Sequence, residues 1–302
     1  MTNTLIHLLL MLFMPPLLFG VIGKTKAAFS GRVGAPYLQP YHDLFRLWRK
    51  GAVFSSSTTF LFRAGPIVSL AAIVTAGLLI PLGSHLPPLS FTGDMIFFAY
   101  LLALARFFTM AAALDTGSSF EGMGAAREAS FACLAEPTLF FALVVLARLS
   151  GSLTLSSMLT GSFSRSWDTT GAAIVLLVAA LFVVLLVENC RIPFDDPTTH
   201  LELTMIHEVM VLDHSGPLFG FIQYGATLKL FILGAFFLNI ALPFSCCNDM
   251  ANWLFFIAAM LALAISIGVI ESVMARLRLL RIPQLLVAAT ILAAFALVLI
   301  LS

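Results

Sequence analysis

The densest group of chemically capable side chains lies between Glu188 and Gly216, in the stretch ENCRIPFDDPTTHLELTMIHEVMVLDHSG. It holds six acids, one arginine and three histidines, in a chain whose charged residues make up only 10% of the total. One apolar run precedes it, from Ala172 to Val187, and another follows, from Ile222 to Leu242. Charge at the edge of a bilayer is costly and is rarely kept without a use. We therefore expect this stretch to mark the working region of the protein.

Two further acids, Glu128 and Glu136, fall at the start and in the lower middle of a predicted helix. Eight residues of helix separate them by about 12 Å, and Glu136, followed by Pro137, is expected well inside the bilayer. A carboxylate kept neutral or paired for helix packing is one interpretation. An acid within a membrane is more often part of a functional path, so both are predicted members of a proton relay.

Four more charged residues lie within or at the ends of predicted helices. Glu188 ends the fifth and Glu271 closes the seventh, while Arg106 lies in the third and Lys229 in the sixth. An unpaired charge at such positions costs several kcal/mol, so we expect the two cations to pair with the glutamates. For Lys229, a side chain that extends to the membrane surface is an alternative.

Proline residues shape the segment after Glu188. Pro193 and Pro197 stop the helix and predict irregular backbone, which turns nearby carboxylates toward a cavity or a partner surface. A solvated loop explains Asp196 and Glu208 equally well but suits Glu188 and Glu202 poorly.

Metal and nucleotide chemistry find little support. His200, His207 and His214 recur every seven residues, and on one helix they would stand about 10 Å apart, too far to share one metal. The four cysteines have no C-x-x-C spacing, so we expect no iron–sulfur cluster on this chain. Gly122-Met-Gly124 lacks the remaining residues of a dinucleotide or phosphate-binding loop, and no nucleic-acid partner is expected.

The elements that carry these residues are predicted from long apolar runs. The 302 residues are 60% hydrophobic with a mean hydropathy of +1.04, and about 20 apolar residues suffice for a helix to cross a bilayer. The fold class is thus all-α integral membrane, a bundle of about eight transmembrane helices. The predicted helices are Leu5–Gly23, Gly65–Leu82, Met95–Leu114, Ala129–Ser150, Ala172–Val187, Ile222–Leu242, Trp253–Ile270 and Leu285–Leu301.

The basic residues predict the orientation of the bundle, because cytoplasmic loops are enriched in lysine and arginine. Most of them fall in or beside alternate loops, with Arg127 assigned to the third loop and only Arg148 and Arg165 on the other side. Both termini are therefore expected on the outer, periplasmic side of a bacterial-type inner membrane. In the first loop, Leu38–Trp48 has helical spacing of apolar residues and predicts an amphipathic helix in the membrane interface. We find no internal repeat and expect one membrane domain over residues 1–302.

Several stretches together resemble one family, the subunit 1 membrane protein of complex I and its relatives in group-4 nickel–iron hydrogenases. The clearest is ENCRIPFDDPTTHLE (Glu188–Glu202), which matches the family's Glu-x-x-Arg-x-Pro-Phe-Asp signature. GRVGAPYLQPYHDLFRLWRK (Gly31–Lys50) resembles its first cytoplasmic loop. LDTGSSFEGMGAAREASFACLAEP (Leu114–Pro137) and MARLRL (Met274–Leu279) resemble the hydrogenase branch, of the formate hydrogenlyase subunit 4 or hydrogenase-4 component C type.

The resemblance implies a non-catalytic subunit of a multi-subunit oxidoreductase, which anchors a soluble redox arm and couples it to proton translocation. Expected partners are a hydrogenase-like large subunit and a small iron–sulfur subunit on the cytoplasmic face, antiporter-like membrane subunits, and the lipid bilayer. The nickel–iron site and iron–sulfur clusters would sit on the partners, while a quinone is also compatible with the family. The resemblance implies that Glu128, Glu136, Glu188 and Glu202 line a polar route and that Arg191 and Asp195 lie at the junction. We also predict Glu271, Lys229 and Arg106 as relay residues, and Asp43, Asp115 and Arg127 as docking or junction residues.

Two alternatives remain at this point. One is a quinone-chamber subunit of an NADH-quinone oxidoreductase. This chain departs from that pattern at His200, where an acid is missing, and before Asp213-His214-Ser215-Gly216, where about three residues are added. The other is a stand-alone ion transporter, which the missing inverted repeat and the docking-type loops disfavour.

Overall fold

A computed structural model describes residues 2–160, 162–195, 205–242 and 248–301, and for residues 162–166, 168 and 169 it describes the backbone alone. Within these ranges the chain is helical and has no strand, and eight helices are long and apolar enough to cross a membrane. The all-helical prediction and the number of spans are confirmed. The helices are α1 (Thr2–Phe29), α2 (Gln39–Trp48), α3 (Phe60–Leu79), α4 (Asp94–Asp115), α5 (Ser119–Ser150), α6 (Leu155–Leu159), α7 (Ser162–Glu188), α8 (Gly216–Ala241), α9 (Asp249–Val273) and α10 (Ile282–Leu301), with short 3₁₀ turns at Glu208–Val211 and Leu279–Arg281.

Prolines explain two of these boundaries. α3 ends at Leu79, because Ile80 is extended ahead of Pro81 and a residue before proline avoids the helical region. α8 begins at Gly216 with Pro217 in its first turn, where the missing N–H costs nothing.

The start of α5 corrects the sequence-based prediction. The helix begins at Ser119, ten residues before the predicted start at Ala129, so Arg127 and Glu128 lie inside it and the third loop is reduced to the three residues 116–118. Gly124, expected in a loop, lies inside α5, and the close approach of Val209 leaves no room there for a larger residue. The expected loop from Gly151 to Thr170 is also largely helical, as α6 and the first turns of α7.

The helix at Gln39–Trp48 confirms the secondary structure predicted for the first loop, while its place in the membrane interface stays a prediction. In the structure this helix, α2, packs against α8 and α1, and Leu44 is its buried residue. The prolines of α1 lie inside its span and do not interrupt it. The kink of α7 at Thr170 comes before the apolar span of that helix and does not interrupt it either.

α8 forms the centre of the bundle, since α1, α2, α3, α7 and α9 all pack against it. It is mostly apolar on every side, as expected of a helix enclosed by others, and Lys229 is its charged residue. α3 packs on α4, α1 on α9, and α10 on both α5 and α7. α1, α4, α7 and α9 all end on the same side of the bundle, and we call this side the loop end. The functional candidates gather there and in the middle of the bundle.

Candidate functional site

One arginine organises the charged centre of the bundle. Arg106, about halfway along α4, is 7% exposed, and its guanidinium contacts three carboxylates: Glu128 with Nε–Oε1 at 3.7 Å, Glu136, and Glu188. Lys229 of α8 also donates to Glu188, with Nζ–Oε2 at 2.8 Å. The predicted pairing of the two cations with glutamates is confirmed. We call Arg106, Glu128, Glu136, Glu188 and Lys229 the Arg106 cluster.

Four helices supply this cluster, each from a largely apolar span. α4 provides Arg106, α5 provides the two glutamates at i and i+8, α7 ends in Glu188, and α8 provides Lys229. A guanidinium has five N–H donors in a planar fork, so it can serve several carboxylates at once, which an ammonium cannot do in the same way. The arginine is therefore the element that holds α4, α5 and α7 together at mid-bundle.

A second group of charges lies at the loop end. Glu271 of α9 is fully buried and receives Lys26 Nζ at 3.0 Å and Arg191 Nη1 at 3.4 Å. Asp195 receives Arg276 Nη2 at 2.9 Å and two backbone amides, Ile206 N at 3.0 Å and His207 N at 3.2 Å. We call Lys26, Arg191, Asp195, Glu271 and Arg276 the junction clamp.

The clamp joins distant parts of the chain. Leu277 N donates to Pro193 O at 2.9 Å, so the connection between α9 and α10 lies on the signature turn that follows α7. Arg191 also stacks on Phe19 of α1, with its guanidinium carbon 4.0 Å from the ring centre. The segment from Glu188 to Asp195 thus begins in the Arg106 cluster and ends in the clamp.

Two cavities lie on either side of this segment. The larger, of about 310 Å³, opens between α1, α2 and α8 and is lined by Phe19, Asp43, Leu44, Arg191, Asp195, His207, Glu208, Phe219 and Gln223, among others. We call it the junction chamber. The smaller, of about 70 Å³, is bordered by Arg106, Glu128, Glu188 and Lys229; at roughly 30 Å³ per water, it has room for about two waters beside the charged groups.

The two cavities share the wall residues Asn189, Cys190, His207, Ile222 and Ala226. Burial raises the pKa of the Cys190 thiol well above its usual value, so the thiol is neutral. Burial, assisted by Lys229, lowers the pKa of His207 to about 4, so this imidazole is also neutral at pH 7. The polar residues of this wall, Asn189, Cys190 and His207, are therefore uncharged at pH 7.

The predicted junction residues occupy distinct places. Asp43 lines the junction chamber and accepts a hydrogen bond from Gln39 at 2.9 Å. Asp115 accepts bonds from Thr59 N at 2.7 Å and Phe62 N at 3.2 Å, the geometry of a cap on the start of α3. Arg127 donates to Met205 O at 3.0 Å. Glu202, Asp196, His200, Cys246 and Cys247 lie outside the described residues.

His207 and His214 do not share a helix, since a 3₁₀ turn and a loop separate them. His214 instead stacks on Phe62, with ring centres 3.9 Å apart and planes at 10°. Burial lowers its pKa to about 4.

Three residues that contribute to the site were not predicted as site residues from the sequence. Lys26 was assigned to the first loop, but α1 continues to Phe29 and carries it to Glu271. The contact of Arg276 with Asp195 could not be predicted from the sequence, because it is formed by the tertiary packing of two distant segments. Glu121 is buried and accepts Asp213 N at 3.0 Å. For Lys26, the helical continuation of the apolar run past Gly23 was the available signal.

Comparison with known proteins decides the family. The family model described as NADH dehydrogenase matches residues 2–302. The chain belongs to the NADH dehydrogenase family. Its relatives in Escherichia coli K12 include hydrogenase-4 component C, 31% identical over 242 residues that cover 80% of this chain and 75% of the relative. Formate hydrogenlyase subunit 4 of the same organism is 30% identical over 281 residues, covering 91% of this chain and 90% of the relative.

Other members of the NADH dehydrogenase family are more distant in sequence. A subunit of the NADH-quinone oxidoreductase of Bordetella pertussis is 24% identical over 222 residues, which cover 70% of this chain and 60% of the relative. A chain in the structure of the membrane-bound sulfane sulfur reductase, an archaeal respiratory membrane complex, superposes with a TM-score of 0.84 at 22% identity and covers 99% of this chain and 100% of that one. This last likeness shows a shared fold. Together with the eight spans, the family establishes a multi-pass membrane protein.

Proposed function

We propose that this protein is the membrane-anchor and coupling subunit of a group-4 nickel–iron hydrogenase or formate-hydrogenlyase-like complex. The observation that carries the proposal is the pairing of the Arg106 cluster with the junction chamber across a wall of neutral polar residues. Such an arrangement connects the middle of the bundle with its loop end through groups that can bind and release protons. The two E. coli relatives, named as components of hydrogenase-4 and formate hydrogenlyase, point to the same kind of complex.

In this proposal the loop end faces the cytoplasm, both termini face the periplasm, and the chain lies in the inner membrane as a single domain. A hydrogenase-like large subunit and a small iron–sulfur subunit bind over the junction chamber and the first loop, and antiporter-like subunits bind within the membrane. The redox cofactors belong to those partners. Asp43, Arg191 and Asp195 would face the docked arm, and the clamp would transmit its position to Glu188.

The Arg106 cluster would act as the relay. Glu188 bonds both Arg106 and Lys229, so a change in its protonation alters the charge felt by Glu128 and Glu136 through the shared arginine. A proton entering from the chamber would pass the partition at Asn189, Cys190 and His207 and reach Glu188 or Glu128, with ordered waters as carriers. Glu202 and Glu271 are proposed relay members at the loop end.

The test is Glu188→Gln in the intact complex. We expect proton translocation by proteoliposomes to be lost, while hydrogen evolution from a reduced viologen dye, which needs only the soluble arm, is retained. The matched control is Asp213→Asn, which neutralises an exposed acid at the loop end. Normal translocation by the Gln variant, or dissociation of the complex, would contradict the relay role.

A second candidate function follows from the junction chamber itself. Its walls include apolar groups from α1, α2 and α8 beside Asp43 and Arg191, a combination that suits a quinone head group. Quinone reduction by the purified complex, blocked by Ala226→Phe at the chamber wall, would favour a quinone-chamber subunit. A stand-alone transporter would give ion flux in proteoliposomes that contain this chain alone, and we expect none.

A further inference from the structure

A groove with a charged floor runs along the outside of the bundle between α4 and α5. Its walls are Ala103, Arg106 and Met110 on α4 and Ala129, Cys133, Glu136 and Phe140 on α5, and it encloses about 330 Å³. The residues of each helix repeat at three- and four-residue spacing, so each set forms one face of its helix. We call this feature the lateral groove.

The lateral groove exposes one member of the Arg106 cluster. The Glu136 side chain is 40% exposed, whereas those of Arg106 and Glu188 are 7% and 6% exposed. Arg106, which contacts Glu136, lies about halfway along α4. The exposed carboxylate is therefore at mid-span, where the surroundings of an isolated chain would be hydrocarbon.

Charge balance within the cluster leads to the same residue. Three carboxylates share two cations, and Glu188 takes contacts from both Arg106 and Lys229. Lys229 also attracts Glu128, whereas the described cationic contact of Glu136 is with Arg106, which all three carboxylates share. A carboxylate has about four lone-pair sites, and hydrocarbon supplies no donor to satisfy those that Arg106 does not reach.

The shape of the groove fits a helix. Ala103, Ala129 and Cys133 are small, and small residues allow two helix backbones to approach closely within a membrane. A lipid chain could fill the volume but would bring no donor to Glu136. A second copy of this chain would place like surfaces in contact across a two-fold axis and bring one Glu136 toward another.

We infer that a transmembrane helix of a partner subunit closes the lateral groove and donates a hydrogen bond to Glu136. The inference rests on the proposed function, since it needs a membrane partner, and it adds the surface and the chemistry of that partner. The partner helix presents small residues toward α4 and α5. At mid-span it carries the donor to Glu136, which is a lysine, a hydroxyl, an amide or a protonated acid.

The exposed thiol of Cys133 tests this directly. In the intact complex in membranes, a membrane-permeant maleimide should label Cys133 about tenfold more slowly than an Ile265→Cys control, because the groove is covered. Ile265 is 47% exposed on α9, which packs against α1 and α8. Peptide mapping by mass spectrometry reads each site. Equal rates for the two thiols would overturn the inference.

A blocking variant gives a second measurement. Ala129 is exposed, so Ala129→Trp fills the lateral groove without disturbing the core. We expect the complex to lose a membrane subunit while the soluble subunits still co-purify, and Ile265→Trp to retain every subunit. Retention of all subunits by Ala129→Trp would count against the groove as an interface.

The outcomes separate the two proposals. If no soluble redox subunit co-purifies with the wild-type chain, the proposed function fails. If the soluble subunits co-purify but Cys133 stays reactive, only the groove inference fails. A bifunctional reagent anchored at Cys133 identifies the covering helix, and a helix with only apolar residues within reach of Glu136 would refute the predicted donor.

Discussion

The Arg106 cluster and the junction clamp use the same residue types with opposite balances. In the cluster, two cations serve three carboxylates, one contact is as long as 3.7 Å, and a cavity and an open groove border the charges. In the clamp, three cations hold two carboxylates, and backbone amides complete the shell of Asp195. Protons can be gained at a site with excess acid, whereas a carboxylate surrounded by donors keeps its charge and its position. The first arrangement suits a relay, and the complete shell around Asp195 suits a fixed joint.

Removal of the shared arginine should have the largest effect. Arg106→Ala leaves three carboxylates inside the bundle, and loss of one partner of a buried ion pair costs about 3–5 kcal/mol. We expect a large loss of folded protein and a lower midpoint of thermal unfolding in detergent. Arg148→Ala, at the exposed end of α5, is the matched control and should resemble wild type. A normal midpoint for Arg106→Ala would mean that the cluster does not hold the helices together.

A pair of neutralising substitutions compares the two groups directly. Asp195→Asn removes the charge held by Arg276 and weakens two amide contacts, so we expect a loss of about 2 kcal/mol in unfolding free energy. Glu128→Gln removes one carboxylate from the Arg106 cluster, in which three carboxylates share two cations. We expect the unfolding free energy to change by less than about 0.5 kcal/mol. Chemical denaturation in mild detergent measures both. Equal losses would erase the distinction between relay and joint.

A smaller effect is expected within the clamp. Lys26→Met removes one of the two cations on Glu271, while Arg191 remains at 3.4 Å. Because Lys26 is partly exposed and the methionine retains its apolar contacts, we expect a loss of about 1 kcal/mol. Lys50→Met, at an exposed position after α2, is the control. If Arg191→Met were less destabilised than Lys26→Met, Lys26 would be the more important partner of Glu271 and the prediction would be wrong.

Acid should weaken the loop end modestly through His214. Its folded-state pKa is about 4 because of burial, below the 6.5 of the unfolded chain. The unfolded state therefore binds the proton first as pH falls, so stability drops between pH 6.5 and 4 and is flat above and below that window. Between pH 7 and 5.5 we expect a loss of about 1 kcal/mol. His214→Gln should remove this part of the pH dependence, and an unchanged slope would assign it to other groups.

Particular residues show what could be predicted from sequence. The eight spans followed from apolar runs of about 20 residues, and the pairing of Arg106 and Lys229 with glutamates followed from the cost of an unpaired charge in a membrane. Confirmation of the family rests on the match over residues 2–302, consistent with the signature around Arg191 and Asp195. The sequence does not predict the early start of α5, because Gly122, Gly124 and the polar residues around them lower the helical signal of this segment.

The identity of each partner could not be predicted in the same way. Several cations could have served Glu271, and the choice of Lys26 and Arg191 depends on the meeting of α1, α7 and α9 at the loop end. The sequence predicts that Glu136 lies well inside the bilayer. In the structure Glu136 lies beside Arg106, midway along α4, and it faces the lateral groove because of how α4 and α5 pack together.

The sequence by itself determined a helical membrane protein and the charges that it must accommodate, since hydropathy and the cost of buried charge are local properties. Only the tertiary structure decided which charges meet, which carboxylate lies open to the side, and that a chamber and a narrow cavity share one wall. Those features depend on how α4, α5, α7 and α8 pack, and contacts between residues 22 to 82 positions apart leave no periodic trace in the chain.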